Sequence, residues 1–182
     1  MRTIIIGDIH GHIDPLRRIM EALSPDPATD RLVFLGDLFD RGPDSWEVFQ
    51  YVKKLAASFG ERFVLLRGNH EDYLLQETMP PAQRMIWDRV GRGATVLSFK
   101  QHGEEMEDAR PWLQEHTVLF YKEDRFQCVL AGLKVDPVEA NDAYTLIHDH
   151  GVALKNLAAL PTPFNFLPSL PMMMDLWDLR SQ

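Results

Sequence analysis

An α/β fold is predicted from three observations. Three short apolar runs recur in the first part of the chain, Thr3-Ile4-Ile5-Ile6, Leu32-Val33-Phe34-Leu35 and Phe63-Val64-Leu65-Leu66. Each is β-rich and bounded by Gly or Asp, which reads as a strand buried on both faces. The stretches between them carry apolar residues at helical spacing, so the pattern is β-α-β, with right-handed crossovers and a sheet covered by helices. Directly after the runs come Gly7-Asp8-Ile9-His10-Gly11, Gly36-Asp37 with Asp40-Arg41-Gly42, and Arg67-Gly68-Asn69-His70-Glu71. Ligands of an open α/β sheet bind at the carboxyl ends of its strands, so Asp8, His10, Asp37, Asn69 and His70 are expected to meet in one small volume.

The elements follow in order. From Asp14 to Leu23, Leu16, Ile19, Met20 and Leu23 define a helix with Pro15 in its first turn, and Ser24-Pro25-Asp26-Pro27 ends it. A second helix starts at Pro43-Asp44-Ser45, carries Val48, Tyr51, Val52, Leu55 and Phe59, and closes at Gly60. Beyond Glu71, Leu74, Leu75, Met85, Ile86 and Val90 suggest short helices separated by Pro80-Pro81, with a break at Gly91-Arg92-Gly93. Glu104 to Gln114 reads as a polar helix interrupted near Pro111, its acidic residues on a solvated face. Thr117 to Tyr121 and Phe126 to Ala131 read as two strands joined by a turn.

Composition sets limits. The 182 residues are most simply one domain, 45% hydrophobic and 25% charged, as in ordinary soluble proteins. The net charge of −8 argues against a nucleic-acid partner. No apolar run is long enough to span a bilayer, and no signal-peptide layout precedes the first strand. The single cysteine, Cys128, excludes an internal disulfide and reads as core. These features fit a cytoplasmic protein.

Asp, His and Asn together suit a divalent metal. The ordered runs G-D-x-H-G, G-D-x-x-D-R-G and G-N-H-E resemble the calcineurin-like metallophosphoesterases, and Asp40-Arg41-Gly42 with Arg67-Gly68 resembles their phosphoprotein phosphatase branch, which includes bacterial diadenosine tetraphosphate hydrolases. The resemblance covers roughly residues 1 to 135 and leaves 136–182 divergent. It implies a two-sheet β-sandwich flanked by helices, with a small helical cap and a C-terminal part that is atypical or incomplete.

The resemblance also implies roles. Asp8 and His10 would ligate a first metal, Asp37 would bridge two, and Asn69 would bind the second. Two such ions activate water and hold a phosphate for in-line attack. His70 would protonate the leaving oxygen, with Asp40 holding its imidazole. Arg41 and Arg67 would grip phosphate oxygens. The plainer alternatives are a turn residue for Asp40 and surface ion pairs for the arginines. His12 reads as a helix-capping or solvent-facing residue, and Trp46 and Trp87 as core or cap packing. Manganese suits the donor set best, with iron and zinc as alternatives.

Two family histidines are missing. Where the family has V-H-A-G-L, this chain has Val129-Leu130-Ala131-Gly132-Leu133, and no Gly-His pair occurs. His148 and His150 could compensate if Tyr144 to Ile147 is a strand that presents both imidazoles on one face. Pro161, Pro163, Pro168, Pro171 and Met172-Met173-Met174 make the tail an unusual closing segment, either an irregular arm or the mark of a truncated or frame-altered chain. A sheet edge left open there would suit a homodimer. The expected activity is metal-dependent hydrolysis of phosphate monoesters, first of phosphoserine or phosphothreonine proteins. Dinucleoside polyphosphates and a catalytically impaired phosphate-binding relative are the alternatives.

Overall fold

A computed structural model of the chain describes residues 2–124, 126–134 and 138–149. Its main sheet has four parallel strands in the order β1-β2-β3-β4. These are β1 (Thr3–Ile6), β2 (Arg31–Phe34), β3 (Phe63–Leu66) and β4 (Thr117–Val118). Helices α1 (Ile13–Leu23) and α2 (Ser45–Phe59) make the first two crossovers. Ser24 caps α1 in the left-handed region, and Gly60, with positive φ, caps α2. Between β3 and β4 lie α3 (Asn69–Leu75), α4 (Pro81–Arg89), α5 (Arg92–Gln101) and α6 (Arg110–His116). An antiparallel pair, β5 (Tyr121–Glu123) and β6 (Phe126–Cys128), and helix α7 (Ala143–His148) follow. The result is the expected α/β arrangement of two sheets flanked by helices.

The register explains the layers. Ile4, Ile6, Leu32, Phe34, Phe63 and Leu65 share one face of the sheet through their pairings. That face packs on Leu16, Met20, Val48, Val52, Phe99 and Leu113 from α1, α2, α5 and α6, which makes one main core. The other face carries Ile5, Val33, Val64, Leu66 and Val118. The small sheet is tied to its edge: Thr3 donates to Glu123 Oε1 (3.3 Å), and Arg31 pairs with Glu123 (3.2 Å) and hydrogen-bonds Tyr121. Strand β2 is buried on both faces as expected, with Leu32, Val33 and Phe34 all inaccessible, but β1 and β4 are not. Ile5 is 37% exposed and Val118 46%, because the helices cover one side and the second side is covered unevenly.

Four local expectations are corrected. Thr117-Val118 does not begin a hairpin with Phe126–Ala131. It leaves α6 and pairs in parallel with Leu65-Leu66, anchored by Thr117 Oγ1 donating to the Leu113 carbonyl (2.7 Å) and Arg67 N–H to that of Val118 (2.8 Å). The hairpin is shorter, Tyr121–Glu123 with Phe126–Cys128. Pro111 does not interrupt a helix. It lies in the first turn of α6, where its missing N–H leaves no bond unmade, and Met106 and Ala109 turn inward from the acidic run just before it. Tyr144 to Ile147 is helical, because the Asp142 carboxylate accepts the Thr145 N–H (2.7 Å) and nucleates α7. His150 and the Pro- and Met-rich tail lie outside the described residues.

Candidate active site

The loops after β1, β2 and β3 converge at the carboxyl edge of the sheet. They are held in a strained conformation: His10 (φ 46°), Asp37 (50°), Asp40 (71°) and Arg41 (66°) are non-glycine residues in left-handed backbone. Each such residue costs about 1–3 kcal/mol and persists only where its surroundings over-determine it. Here the Asp37 carbonyl accepts from both Ile9 N–H (3.0 Å) and His10 N–H (2.9 Å), and Gly42 N–H donates to the His10 carbonyl (2.9 Å). Glu71, fully buried, accepts the N–H groups of Asp37 (2.7 Å), Leu38 (2.8 Å) and Gly68 (3.0 Å). One carboxylate thus ties the end of β2 to the start of α3. A side chain at Gly68 would place its Cβ 2.1 Å from Asp37 Oδ1 and 2.6 Å from Asp37 N, so only glycine fits.

His10 is the centre of the cluster. Its Nδ1–H donates to the Phe39 carbonyl (2.8 Å), which fixes the tautomer and leaves the Nε2 lone pair facing the site. That Nε2 is buried and has no hydrogen-bond partner among the described residues. It lies 3.8 Å from Asp8 Oδ2 and 3.8 Å from Asp37 Oδ2. Metal–ligand bonds are about 2.1 Å for nitrogen or oxygen, so Nε2 and either carboxylate are close enough to share an ion. His10, Asp37 and His70 also offer donor atoms within 4.8 Å of one another. The orphaned nitrogen and the donor chemistry both fit a divalent ion. Burial and the neighbouring His70 push the His10 imidazole down to about 3, so it is neutral and ready to ligate. Burial pushes the Asp37 carboxyl above its ordinary range, and the charges of Glu71 and Asp8 add to that against the opposing pull of His70.

His70 sits edge-on to His10, ring centroids 4.7 Å apart. Its Nδ1–H donates to Asp40 Oδ2 at 2.5 Å. Asp40, itself fully buried, also accepts Trp87 Nε1–H (2.6 Å) and the Thr95 hydroxyl (2.7 Å). Thr95 Oγ1 accepts the Asp40 N–H (2.8 Å), and since its own proton goes to Asp40, Ser45 must be the donor in their 3.0 Å contact. Burial opposes charging of His70, but the Asp40 hydrogen bond and the charges of Asp37, Asp40 and Glu71 outweigh it and raise the imidazole above its ordinary value. Helices α4 and α5, which supply Trp87 and Thr95, thus support the His70–Asp40 pair.

Residues 1–169 match the family described as calcineurin-like phosphoesterase. The chain belongs to that family. A symmetrical bis(5'-nucleosyl)-tetraphosphatase of Marinomonas sp. is 30% identical over 137 residues, 75% of this chain and 46% of the relative. The like-named protein of Klebsiella pneumoniae is 45% identical over 137 residues, again 75% of this chain and 44% of the relative. The chain spans less than half the length of these two curated relatives. Among solved structures, a metallophosphoesterase from Sphaerobacter thermophilus aligns with TM-score 0.52 at 20% identity over 90% of this chain and 57% of its own. A protein serine/threonine phosphatase from Saccharomyces cerevisiae aligns with TM-score 0.53 at 18% identity over 80% and 47%. These two likenesses concern the fold.

Within this calcineurin-like frame, the remaining predicted residues are placed unequally. Asn69 is the first residue of α3, half-buried beside His70. Arg41 is exposed, and its charge reaches His10. Arg67 Nε donates to Thr117 Oγ1 (3.3 Å), and its guanidinium stands 4.0 Å from Asp72. His12 is at the N-cap of α1 without a side-chain capping bond. His148 is not brought to the cluster. Its Nε2–H donates to Asp72 Oδ2 (3.1 Å), because α7 is a helix packed on α3 rather than a strand aimed at the site. Leu130 lies in a half-buried bend after β6. Sequence reasoning missed Glu71, Trp87 and Thr95. The usable signal for Trp87 was that a buried indole N–H needs an acceptor.

Proposed function

We propose that the chain is a metal-dependent phosphoric ester and anhydride hydrolase that cleaves dinucleoside tetraphosphates to nucleoside diphosphates. The carrying observation is the orphaned His10 Nε2 between Asp8 and Asp37, next to a His70–Asp40 pair raised toward the protonated form. The names of the relatives favour dinucleoside polyphosphates over the phosphoprotein substrate placed first on the sequence. Asp8, His10, Asp37 and Asn69 would hold two divalent ions, with manganese the best match to the donor set. Bound there, the ions supply Lewis-acid charge and lower the pKa of water.

The chain's own groups do the rest. Arg41 and Arg67 orient the phosphate oxygens. His70 holds its transferable proton on Nε2, because Nδ1–H is committed to Asp40, and gives it to the leaving phosphate oxygen. Three hydrogen bonds hold the Asp40 side chain in the required place. A second reading, a phosphate-binding relative without turnover, draws on Leu130 and on His148 being held by Asp72. The buried thiol Cys128 suits a reducing compartment such as the cytoplasm.

Titration of the purified chain with Mn²⁺, with diadenosine tetraphosphate hydrolysis followed in the same sample, separates the two. Two equivalents of metal with ADP as product is the expected result. One equivalent or none, with no ADP, overturns it in favour of the binding protein.

A further inference from the structure

A cavity of about 370 Å³ opens beside the acid dyad, between α3, α4 and α7. Its walls include Tyr73, Gln76, Gln83, Ile86, Tyr144 and His148. The size is within the range of small-molecule sites, about 300–1,000 Å³. One of its walls, Tyr73, adjoins the candidate site. The Tyr73 ring lies 6.1 Å from that of His70, and Asp72 stands between Arg67 (4.0 Å) and His148 (3.1 Å).

We propose that this cavity is the subsite for a purine base of the substrate, with α7 as its outer wall. The inference rests on the hydrolase reading and adds the residues that select a nucleotide. Three rings line the cavity: Tyr144 stacks on His148 at 5.2 Å with planes 25° apart, and Tyr73 lies 5.7 Å from His148. Tyr144 is 67% exposed and Ile86 52%, so aromatic and aliphatic faces stand open at the rim. Gln76 donates its amide to Asp72 (3.3 Å), which leaves its carbonyl oxygen to accept, and Gln83 adds a second amide. Flat apolar walls with a few amide donors and acceptors suit a planar heteroaromatic ring, which every nucleobase presents. The cavity does not suit a phosphate. Its Asp72 and His148 side chains are hydrogen-bonded to each other. Burial works to raise the Asp72 carboxyl, but hydrogen bonds from His148 and Gln76 and the charges of His148 and Arg67 outweigh it and keep it anionic. A phosphate would meet that anion, and the base would not.

The test uses adenosine, which has no phosphate, titrated into the Mn²⁺-loaded full chain and followed by NMR, beside kinetics on diadenosine tetraphosphate. Adenosine is expected to bind, and Tyr144→Ala to weaken it about tenfold, the effect of losing one stacking ring. KM for diadenosine tetraphosphate rises by a similar factor with kcat nearly unchanged. Tyr144→Phe keeps the ring and restores both. Gln83→Ala gives an independent variant should Tyr144→Ala not fold, and is expected to weaken adenosine several-fold. Unchanged adenosine affinity in these variants, or no binding to the wild type, overturns the subsite. If adenosine binds as described but no ADP forms, the subsite stands and the hydrolase reading falls. If ADP forms with KM unaltered by Tyr144→Ala, the hydrolase reading stands and the subsite falls.

Discussion

At the scale of single residues, the site depends on a few buried oxygens that each hold two donors. Asp37 is the residue whose carboxylate faces His10 and whose backbone carbonyl binds two N–H groups of the β1 loop. Asp37→Ala keeps the backbone bonds and removes the donor oxygens. Mn²⁺ affinity is expected to fall at least tenfold and turnover to vanish, and calorimetry beside the ADP assay checks both. Trp87→Phe tests the dyad differently. It removes one donor from Asp40 without emptying the core position, so a loss of about 1–3 kcal/mol in dyad organisation is expected. That should appear as a fall in kcat of roughly tenfold or more, with a shifted pH profile and unchanged metal stoichiometry. That Asp8, His10, Asp37, Asp40 and His70 come together was legible because the loops carrying them each follow an apolar run that had to be a strand. Glu71 and Thr95 were not legible. Glu71 has one local target, the Gly68 N–H, but its bonds to Asp37 and Leu38 and that of Thr95 to Asp40 span more than twenty positions, and no local pattern encodes such pairings. His148 misled for a related reason: a His-x-His run has the same spelling on a strand as at a helix end, and the Asp142 cap decides between them.

At the scale of elements, the sheet is legible and the joints are not. Strands β1 to β3 are apolar runs that only a sheet can bury on this pattern. The β4 segment is just Thr117-Val118, too short to carry a period, and its place beside β3 is set by the Arg67 and Thr117 bonds. The joint at Gly68 gives a sharp comparison. Gly68→Ala must push Asp37 and Glu71 aside, and overpacking of this kind costs about 1–3 kcal/mol. Gly93, in the first turn of α5, has nothing within 4 Å of an added Cβ. Gly93→Ala is expected to stabilise by about 0.5 kcal/mol through reduced freedom of the unfolded chain. Urea unfolding of the two variants should therefore move in opposite directions, with Mn²⁺ binding weakened in Gly68→Ala alone.

At the scale of the molecule, two buried groups at one sheet edge couple folding to pH and to metal. The Asp37 carboxyl is raised in the native chain by burial and the nearby acids, and the His70 imidazole is raised by its carboxylate partners against burial. Above the ordinary aspartate value of 3.8, the unfolded chain has released the Asp37 proton while the native chain still holds it. The native state then binds more protons, so metal-free stability falls as pH rises through the raised value. His70 has the same sign: its contribution is present below the ordinary 6.5 and is lost as pH climbs through the raised native value. Asp30, held low by Arg2, and His10, held low chiefly by burial, act oppositely, but the Asp30 contribution is lost only in acid, below the ordinary 3.8, and the His10 contribution is complete above the ordinary 6.5. A bound divalent ion requires the Asp37 carboxylate and stands in for the proton. The melting temperature of the metal-free chain is therefore expected to decline between about pH 6.5 and about pH 8, while the increment from saturating Mn²⁺ grows over the same interval. Proton release on metal binding, read as the dependence of calorimetric heat on buffer ionisation enthalpy, should accompany it. Parallel melting curves with and without Mn²⁺, and no released proton, would mean that the ion does not replace the proton on Asp37 and that the donor set around His10 has been assigned wrongly.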